Sequence, residues 1–222
     1  MLGRTWTAPL DEAALRRAIS EVLLRSAGLP TLEDVEEYLA KVREPVEIVV
    51  EGRPGSPWVG EAEKALQPAL EKGAARLRRV ERSNWPRDRP EPRILIGGRL
   101  GHRYRFYGVP GDILQPVFLL AVAAAGGGWG NGFSCSKLGG ASGTLVVYVV
   151  PGLPCVRALY NLLPVVLCNP EAVLEAVNVE TMVLQGMKPP VRSVPAYLTP
   201  KGVMLRGALR SPAEALQLWR TK

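Results

Sequence analysis

The stretch from Leu145 to Val165, LVVYVVPGLPCVRALYNLLPV, decides the fold. Its first part, LVVYVV, is a run of β-branched and aromatic residues typical of a buried strand. Pro151 and Gly152 end that run, and apolar residues recur at helical spacing from Cys155 onward. Strand, tight turn and helix in succession predict half of a strand–helix–strand unit. One cysteine then lies at the helix start, where backbone N–H groups and the helix dipole favour a thiolate.

The first half of the chain carries the same order of elements about 100 residues earlier. VEIVV from Val46 matches VVYVV from Val146, and PRILI from Pro92 matches PAYLT from Pro195. A constant offset of this size indicates a domain-sized unit repeated in tandem. We therefore predict an N-terminal helical extension, a first unit, a glycine-rich linker and a second unit, in this order: residues 1–30, 31–125, 126–143 and 144–222.

The composition indicates a globular protein that forms a hydrophobic core. Hydrophobic residues make up 47% of the 222 residues, and charged residues 22%. No apolar run reaches the roughly 18 to 20 residues of a membrane span, and no apolar segment of a secretory signal follows Met1. We therefore expect a cytoplasmic protein with no membrane partner. Abundant arginine and proline are also associated with thermophiles.

The net charge of +7, from 28 basic and 21 acidic residues, would suit nucleic acid or an acidic partner. The arginines are scattered, however, and no aromatic stacking motif accompanies them. A solvated basic surface is the favoured interpretation. Nucleic-acid binding stays as the weakest of the functional alternatives.

The three cysteines, Cys135, Cys155 and Cys168, cannot all pair within one chain, so at least one is free or joined to another chain. No two of them have Cys-x-x-Cys spacing, and the sequence contains one histidine. We therefore predict no metal site and no cofactor. Cys168 fits a core or turn position. A Cys135–Cys155 disulfide stays open, because the glycine-rich linker could reach that face.

Three stretches carry a resemblance to a known family: RFYGVPG from Arg105, VVYVVPGLPCVRAL from Val146 and VRSVPAYLT from Val191. With the order β-α-β-α-β-β-α and a proline before the third strand, they resemble the tandem, glutaredoxin-like protein disulfide oxidoreductases of hyperthermophiles. The resemblance implies an α/β protein with two tandem thioredoxin-like units and N-terminal helices. Each unit would have a mixed central sheet with helices on both faces.

In that family, each active unit carries Cys-x-x-Cys where the first strand meets the first helix, and the first cysteine attacks a disulfide. In the second unit the motif falls on Gly152-Leu153-Pro154-Cys155, so Gly152 replaces the attacking cysteine. In the first unit it falls on Ser56-Pro57-Trp58-Val59, which contains no sulfur. A serine hydroxyl forms no disulfide. We therefore do not expect dithiol oxidoreductase activity.

The resemblance also implies a surface that faces the partner protein. A cis proline would lie beside each motif, at Glu91-Pro92 and Val194-Pro195, and would turn the preceding backbone towards an extended peptide. The alternative is that these prolines only hold the turn before the third strand. The predicted binding residues flank the two motifs and the two prolines: Gly152, Leu153, Pro154, Val194, Pro195, Ser56, Pro57, Trp58 and Pro92.

The favoured function is a protein- or peptide-binding module that has lost its redox motifs. The alternative is an enzyme, a weak monothiol disulfide oxidoreductase that uses Cys155 as its catalytic thiol. Cys155 also fits a small buried residue without chemistry, and that structural interpretation is the favoured one.

Overall fold

The computed structural model describes residues 11–130 and 133–221, apart from the side chain of Ala13. Within these ranges the helices are α1 (Glu12–Ser26), α2 (Leu32–Leu39), α3 (Pro57–Glu71), α4 (Gln115–Ala125), α5 (Cys135–Leu138), α6 (Leu153–Cys168), α7 (Val179–Leu184) and α8 (Pro212–Arg220). The strands are β1 (Val46–Gly52), β2 (Ala75–Glu81), β3 (Arg93–Ile96), β4 (Tyr104–Tyr107), β5 (Gly143–Val149), β6 (Ala172–Asn178), β7 (Ala196–Leu198) and β8 (Met204–Arg206).

Local chemistry explains where several helices begin. Thr31 and Asp34 form a capping box before α2, in which each side chain accepts a hydrogen bond from the other residue's backbone N–H. Prolines open α3 and α6, where the missing N–H would have no helical partner. The sequence predicts that Pro164 kinks or ends α6; the helix does not end there and continues to Cys168.

All eight of these strands lie in one mixed sheet with the order β2-β1-β3-β4-β6-β5-β7-β8. In each half the first strand pairs in parallel with the second and antiparallel with the third, which pairs antiparallel with the fourth. The predicted α/β class with mixed pairing is confirmed.

The two halves join through parallel pairing of β4 with β6, from Tyr104 opposite Leu174 to Tyr107 opposite Val177. The sequence predicts one sheet for each unit, whereas the structure has a single continuous sheet. The physical reason is that β4 and β6 would each be an unpaired edge of a separate sheet. Pairing them satisfies the backbone N–H and C=O groups of both strands.

The long helices cover one face of this sheet, and their buried residues form one core with alternate strand residues such as Ile48, Phe106 and Val147. The opposite face has a smaller cluster around Tyr107 and Tyr148, covered by α7 and by Trp85. The prediction of helices on both faces of each unit therefore holds only for the second half, and there by one short helix. The charged residues Glu51 and Glu175, buried on this thinly covered face, pair with arginines.

The described part of the glycine-rich connector contains regular structure and buried residues. Its last part contains α5, and Leu138 and Ala141 are buried. A disulfide joins Cys135, at the start of α5, to Cys168, at the end of α6. This disulfide excludes the Cys135–Cys155 pair that the sequence left open. Cys155 lies near the opposite end of α6 from Cys168, about 20 Å away along the helix.

No helix between residues 11 and 130 or 133 and 221 has both the length and the apolar character needed to cross a membrane.

Candidate functional site

Cys155 lies in the first turn of α6 but is shielded from solvent. Only 2% of the residue is exposed, and its Sγ accepts a hydrogen bond from the backbone N–H of Val150 at 3.5 Å. Burial raises the pKa of the thiol, and the hydrogen bond offsets this only in part. The thiolate expected from the helix start is therefore disfavoured, since loss of solvation outweighs the helix dipole. This environment favours the structural interpretation of Cys155.

Gly152 occupies the attacking position of the lost motif, immediately before α6. Its backbone is extended, with φ of −179° and ψ of 147°, a conformation that any residue adopts. A Cβ at Gly152 would have no atom of the described residues within 4 Å. A side chain would therefore fit here, and the turn lacks an attacking sulfur only because the residue is glycine.

The matching turn of the first half begins α3. Ser56 precedes the helix, but its hydroxyl does not cap it and has no hydrogen-bond partner among the described residues. Trp58 is half-buried and lines a surface cleft of about 220 Å³ together with Pro151 of the second turn. The structure thus brings the two predicted turns to the same cleft, which also contains Glu61 and Glu180.

Both predicted prolines follow cis peptide bonds, Glu91–Pro92 and Val194–Pro195. Each also accepts the same backbone hydrogen bond. Gly108 donates to the Pro92 carbonyl at 2.8 Å, and Gly207 donates to the Pro195 carbonyl at 3.2 Å. The two sites therefore share the same backbone arrangement, and they can be compared residue by residue.

In the first half the backbone before the proline is already occupied. The Glu91 N–H donates to Oε1 of Gln185 at 2.9 Å, and the Glu91 carbonyl accepts from Nε2 of Gln185 at 2.7 Å. Gln185 follows α7 of the second half, so one amide side chain pairs with Glu91 as a strand residue would. The Glu91 carboxylate, which is buried, also accepts from the Arg53 backbone N–H at 2.8 Å.

In the second half the corresponding backbone makes no hydrogen bond within the described residues. Across residues 11–130 and 133–221, neither the N–H nor the C=O of Val194 has a hydrogen-bond partner. Tyr148 of β5 lies opposite Ala196 of β7, and continuing this register places Val150 opposite Val194. The predicted turn at Gly152 to Pro154 and the predicted edge at Val194-Pro195 are therefore neighbours.

The surroundings of Val194 are apolar with a positive rim. Val150, Leu153 and Val194 are partly buried and pack against the main core. Lys188 and Arg192 lie in the segment that leads to Val194, and the described part of the chain supplies no ion-pair partner for either. This pattern suits an apolar strand with acidic neighbours.

Sequence reasoning missed Gln185 and the Cys135–Cys168 pair. Gln185 lies 94 residues from Glu91, and no local pattern marks an amide that will meet a distant backbone. The disulfide could have been considered from the cysteine count, but connectivity does not follow from a count.

No protein-family model matches the sequence, and neither does any curated protein. The structure is similar to the NTD N/C domain of the alkylhydroperoxide reductase AhpF from Enterococcus faecalis, with a TM-score of 0.70 and 15% identity over 85% of this chain and 97% of that chain. It is also similar to a protein disulfide oxidoreductase from Aeropyrum pernix, with a TM-score of 0.64 and 16% identity over 86% of this chain and 90% of that one. These similarities confirm a thioredoxin-like fold. At such identities they establish the fold alone.

Proposed function

We propose that the protein is a thioredoxin-fold binding module that holds an extended segment of a partner protein along the backbone before Pro195. One observation carries this proposal: the Val194 N–H and C=O are unpaired among the described residues, whereas the equivalent groups of Glu91 are paired with Gln185. An unpaired donor and acceptor beside an apolar surface favour a chain that adds as a strand.

The forces available predict weak binding. Pairing with Val194 supplies two backbone hydrogen bonds, each worth about 0.5–1.5 kcal/mol net. Burial of apolar side chains against Leu153 and Val194 adds to this, while ordering the peptide opposes it. We expect a Kd on the order of micromolar, with acidic residues on the peptide favoured by Lys188 and Arg192.

Nothing at the motif turns favours the alternative of a monothiol enzyme. Its catalytic sulfur would be Cys155, which is buried and whose pKa is raised by that burial. The attacking positions hold Gly152 and Ser56, neither of which forms a disulfide. The unpaired backbone of Val194 therefore supports binding better than the residues of these turns support redox chemistry.

The test uses a synthetic eight-residue peptide of alternating valine and threonine with two aspartates at one end, measured by isothermal titration calorimetry. Val194→Asp should abolish binding, because it places a negative charge beside the acidic peptide. Val22→Asp is the matched control: Val22 is 68% exposed on α1, and the same change there should leave binding intact. If Val194→Asp binds as the unaltered protein does, the proposed surface is not the binding site.

A further inference from the structure

The Cys135–Cys168 disulfide is a pair of sulfurs unrelated to the lost motifs. It joins α5 to the C-terminal end of α6, whereas Cys155 lies in the first turn of that helix. The separation of about 20 Å along α6 makes it a distinct site.

The two sulfurs differ in access. Cys135 is exposed, and Cys168 is half-buried at the helix end. Thiol–disulfide exchange begins when a thiolate attacks one sulfur and the other leaves, so the accessible sulfur is the one attacked. An incoming thiolate therefore meets Cys135, and Cys168 is the leaving group.

A positive charge lies at the end of α6 that carries the leaving group. The Arg103 guanidinium donates to four backbone carbonyls, and two of these, Asn169 at 2.7 Å and Val166, flank Cys168 in the chain. Thiolates are stabilised by neighbouring arginine. The charge of Arg103 at this end of α6 opposes the partial negative charge of the helix C-terminus, which would otherwise disfavour a thiolate at Cys168.

A buried asparagine holds the two cysteine segments together without the sulfurs. Asn169 is 5% exposed; its Nδ2 donates to the Leu138 carbonyl at 2.7 Å, and its Oδ1 accepts from the Ala141 N–H at 3.0 Å. These bonds hold the segment of Cys135 against the segment of Cys168 whether or not the two sulfurs are joined. The residues between the cysteines include β5 and most of α6, so no flexible loop has to close when the disulfide re-forms. Asn169 therefore favours re-formation.

We propose that Cys135–Cys168 is a thiol–disulfide exchange site that accepts two electrons from a dithiol. The thiolate of the dithiol attacks Sγ of Cys135, a new S–S bond forms, and the Cys135–Cys168 bond breaks with its electron pair on Cys168. The second thiolate of the dithiol then displaces Cys135 and closes its own disulfide. Both cysteines take up a proton, and the reverse sequence passes two electrons to a partner disulfide.

The full chain is equilibrated in buffers with a graded ratio of reduced to oxidised glutathione, and free thiols are trapped with a maleimide and located by peptide mass mapping. Cys135 and Cys168 should titrate together and reversibly, with the near-ultraviolet circular dichroism unchanged. If they react only as that signal is lost, or resist excess dithiothreitol in the folded protein, the disulfide is a structural cross-link and the proposal is wrong.

Two comparisons separate exchange from general destabilisation. Asn169→Ala should lower the equilibrium constant for re-forming the disulfide several-fold, because the hydrogen bonds that hold the two segments together are lost. Asn161→Ala is the matched control, because Asn161 is equally buried in α6 but donates to the Leu209 carbonyl instead. It should leave that constant unchanged, and an equal effect of both variants would contradict this role of Asn169.

A single-cysteine comparison does not depend on whether Asn169→Ala folds. With oxidised glutathione, the Cys168→Ser variant should form the mixed disulfide on Cys135 several-fold faster than Cys135→Ser forms it on Cys168. Equal or reversed rates would refute Cys135 as the attacked sulfur.

Discussion

The contact between Gln185 and Glu91 can be tested by Gln185→Ala. This change should expose the backbone of Glu91 before Pro92, here called the first-half surface. In the structure one amide satisfies both the N–H and the C=O of Glu91, at 2.9 and 2.7 Å. Removing this amide leaves the N–H and C=O of Glu91 without these hydrogen bonds. Glu91 would then resemble Val194, whose backbone groups are unpaired among the described residues. The first-half surface should then bind the same valine–threonine peptide that tests the second.

The cost in stability follows from the two bonds lost. At about 1 kcal/mol net for each hydrogen bond, Gln185→Ala should lower the free energy of unfolding by about 2 kcal/mol. For a chain of this size, that corresponds to a fall in Tm of about 4–8 °C. The exposed face of α8 offers a control, since Gln217→Ala removes an amide whose side chain makes no hydrogen bond among the described residues.

Calorimetric unfolding measures the loss of stability, and titration calorimetry measures how many peptides bind. We expect the peptide stoichiometry to rise from one to two in Gln185→Ala, and Val194→Asp added to it should return the stoichiometry to one. A variant with the expected loss of stability but unchanged stoichiometry would refute the reasoning that Gln185 occupies a binding surface. Unchanged stability would refute the contact itself.

Three further predictions concern chemistry and pH. Gly152→Cys should confer dithiothreitol-dependent insulin reduction, since a side chain fits there, and Gly152→Ala should not. If a folded Gly152→Cys protein is inactive, the residues around the motif no longer support catalysis. Burial raises the pKa of Cys155, so the native state binds its proton more tightly and the free energy of unfolding should fall as pH rises above about 8.5. Cys155→Ser should weaken this pH dependence, measured by urea unfolding. Burial alone would raise the pKa of Glu51, but hydrogen bonds from Arg82 and Arg93 lower it overall. The contribution of Glu51 to the free energy of unfolding should therefore be lost as pH falls below about 4.3, and Glu51→Gln should weaken this acid dependence.

The local parts of the fold were predictable because each depends on neighbours in sequence. The strand at Leu145, the helix start after Pro151 and Gly152, and the prolines at Pro92 and Pro195 all appear where the patterns indicate. Periodicity and turn chemistry act over a few residues, and so they report such elements well.

The rest depends on contacts between distant residues. The pairing of β4 with β6 arises because two edges meet, and neither strand's sequence shows which edge its partner will present. The burial of Cys155 likewise reflects packing around the start of α6 and not its position in the helix. A helix-start cysteine alone therefore predicted a thiolate that the three-dimensional environment disfavours.

The order of strands explains why one candidate surface is occupied and the other free. The halves follow each other along the sheet in the same sense, β2-β1-β3-β4 and then β6-β5-β7-β8. The residue that covers Glu91 comes from α7 of the next half along, since Gln185 follows that helix. By the same arrangement, an element covering Val194 would have to come from a unit beyond β8, and the described residues contain no strand there. Within the described residues, the unpaired backbone of Val194 therefore follows from the topology. In the proposed function, a partner segment would take the position relative to Val194 that Gln185 takes relative to Glu91.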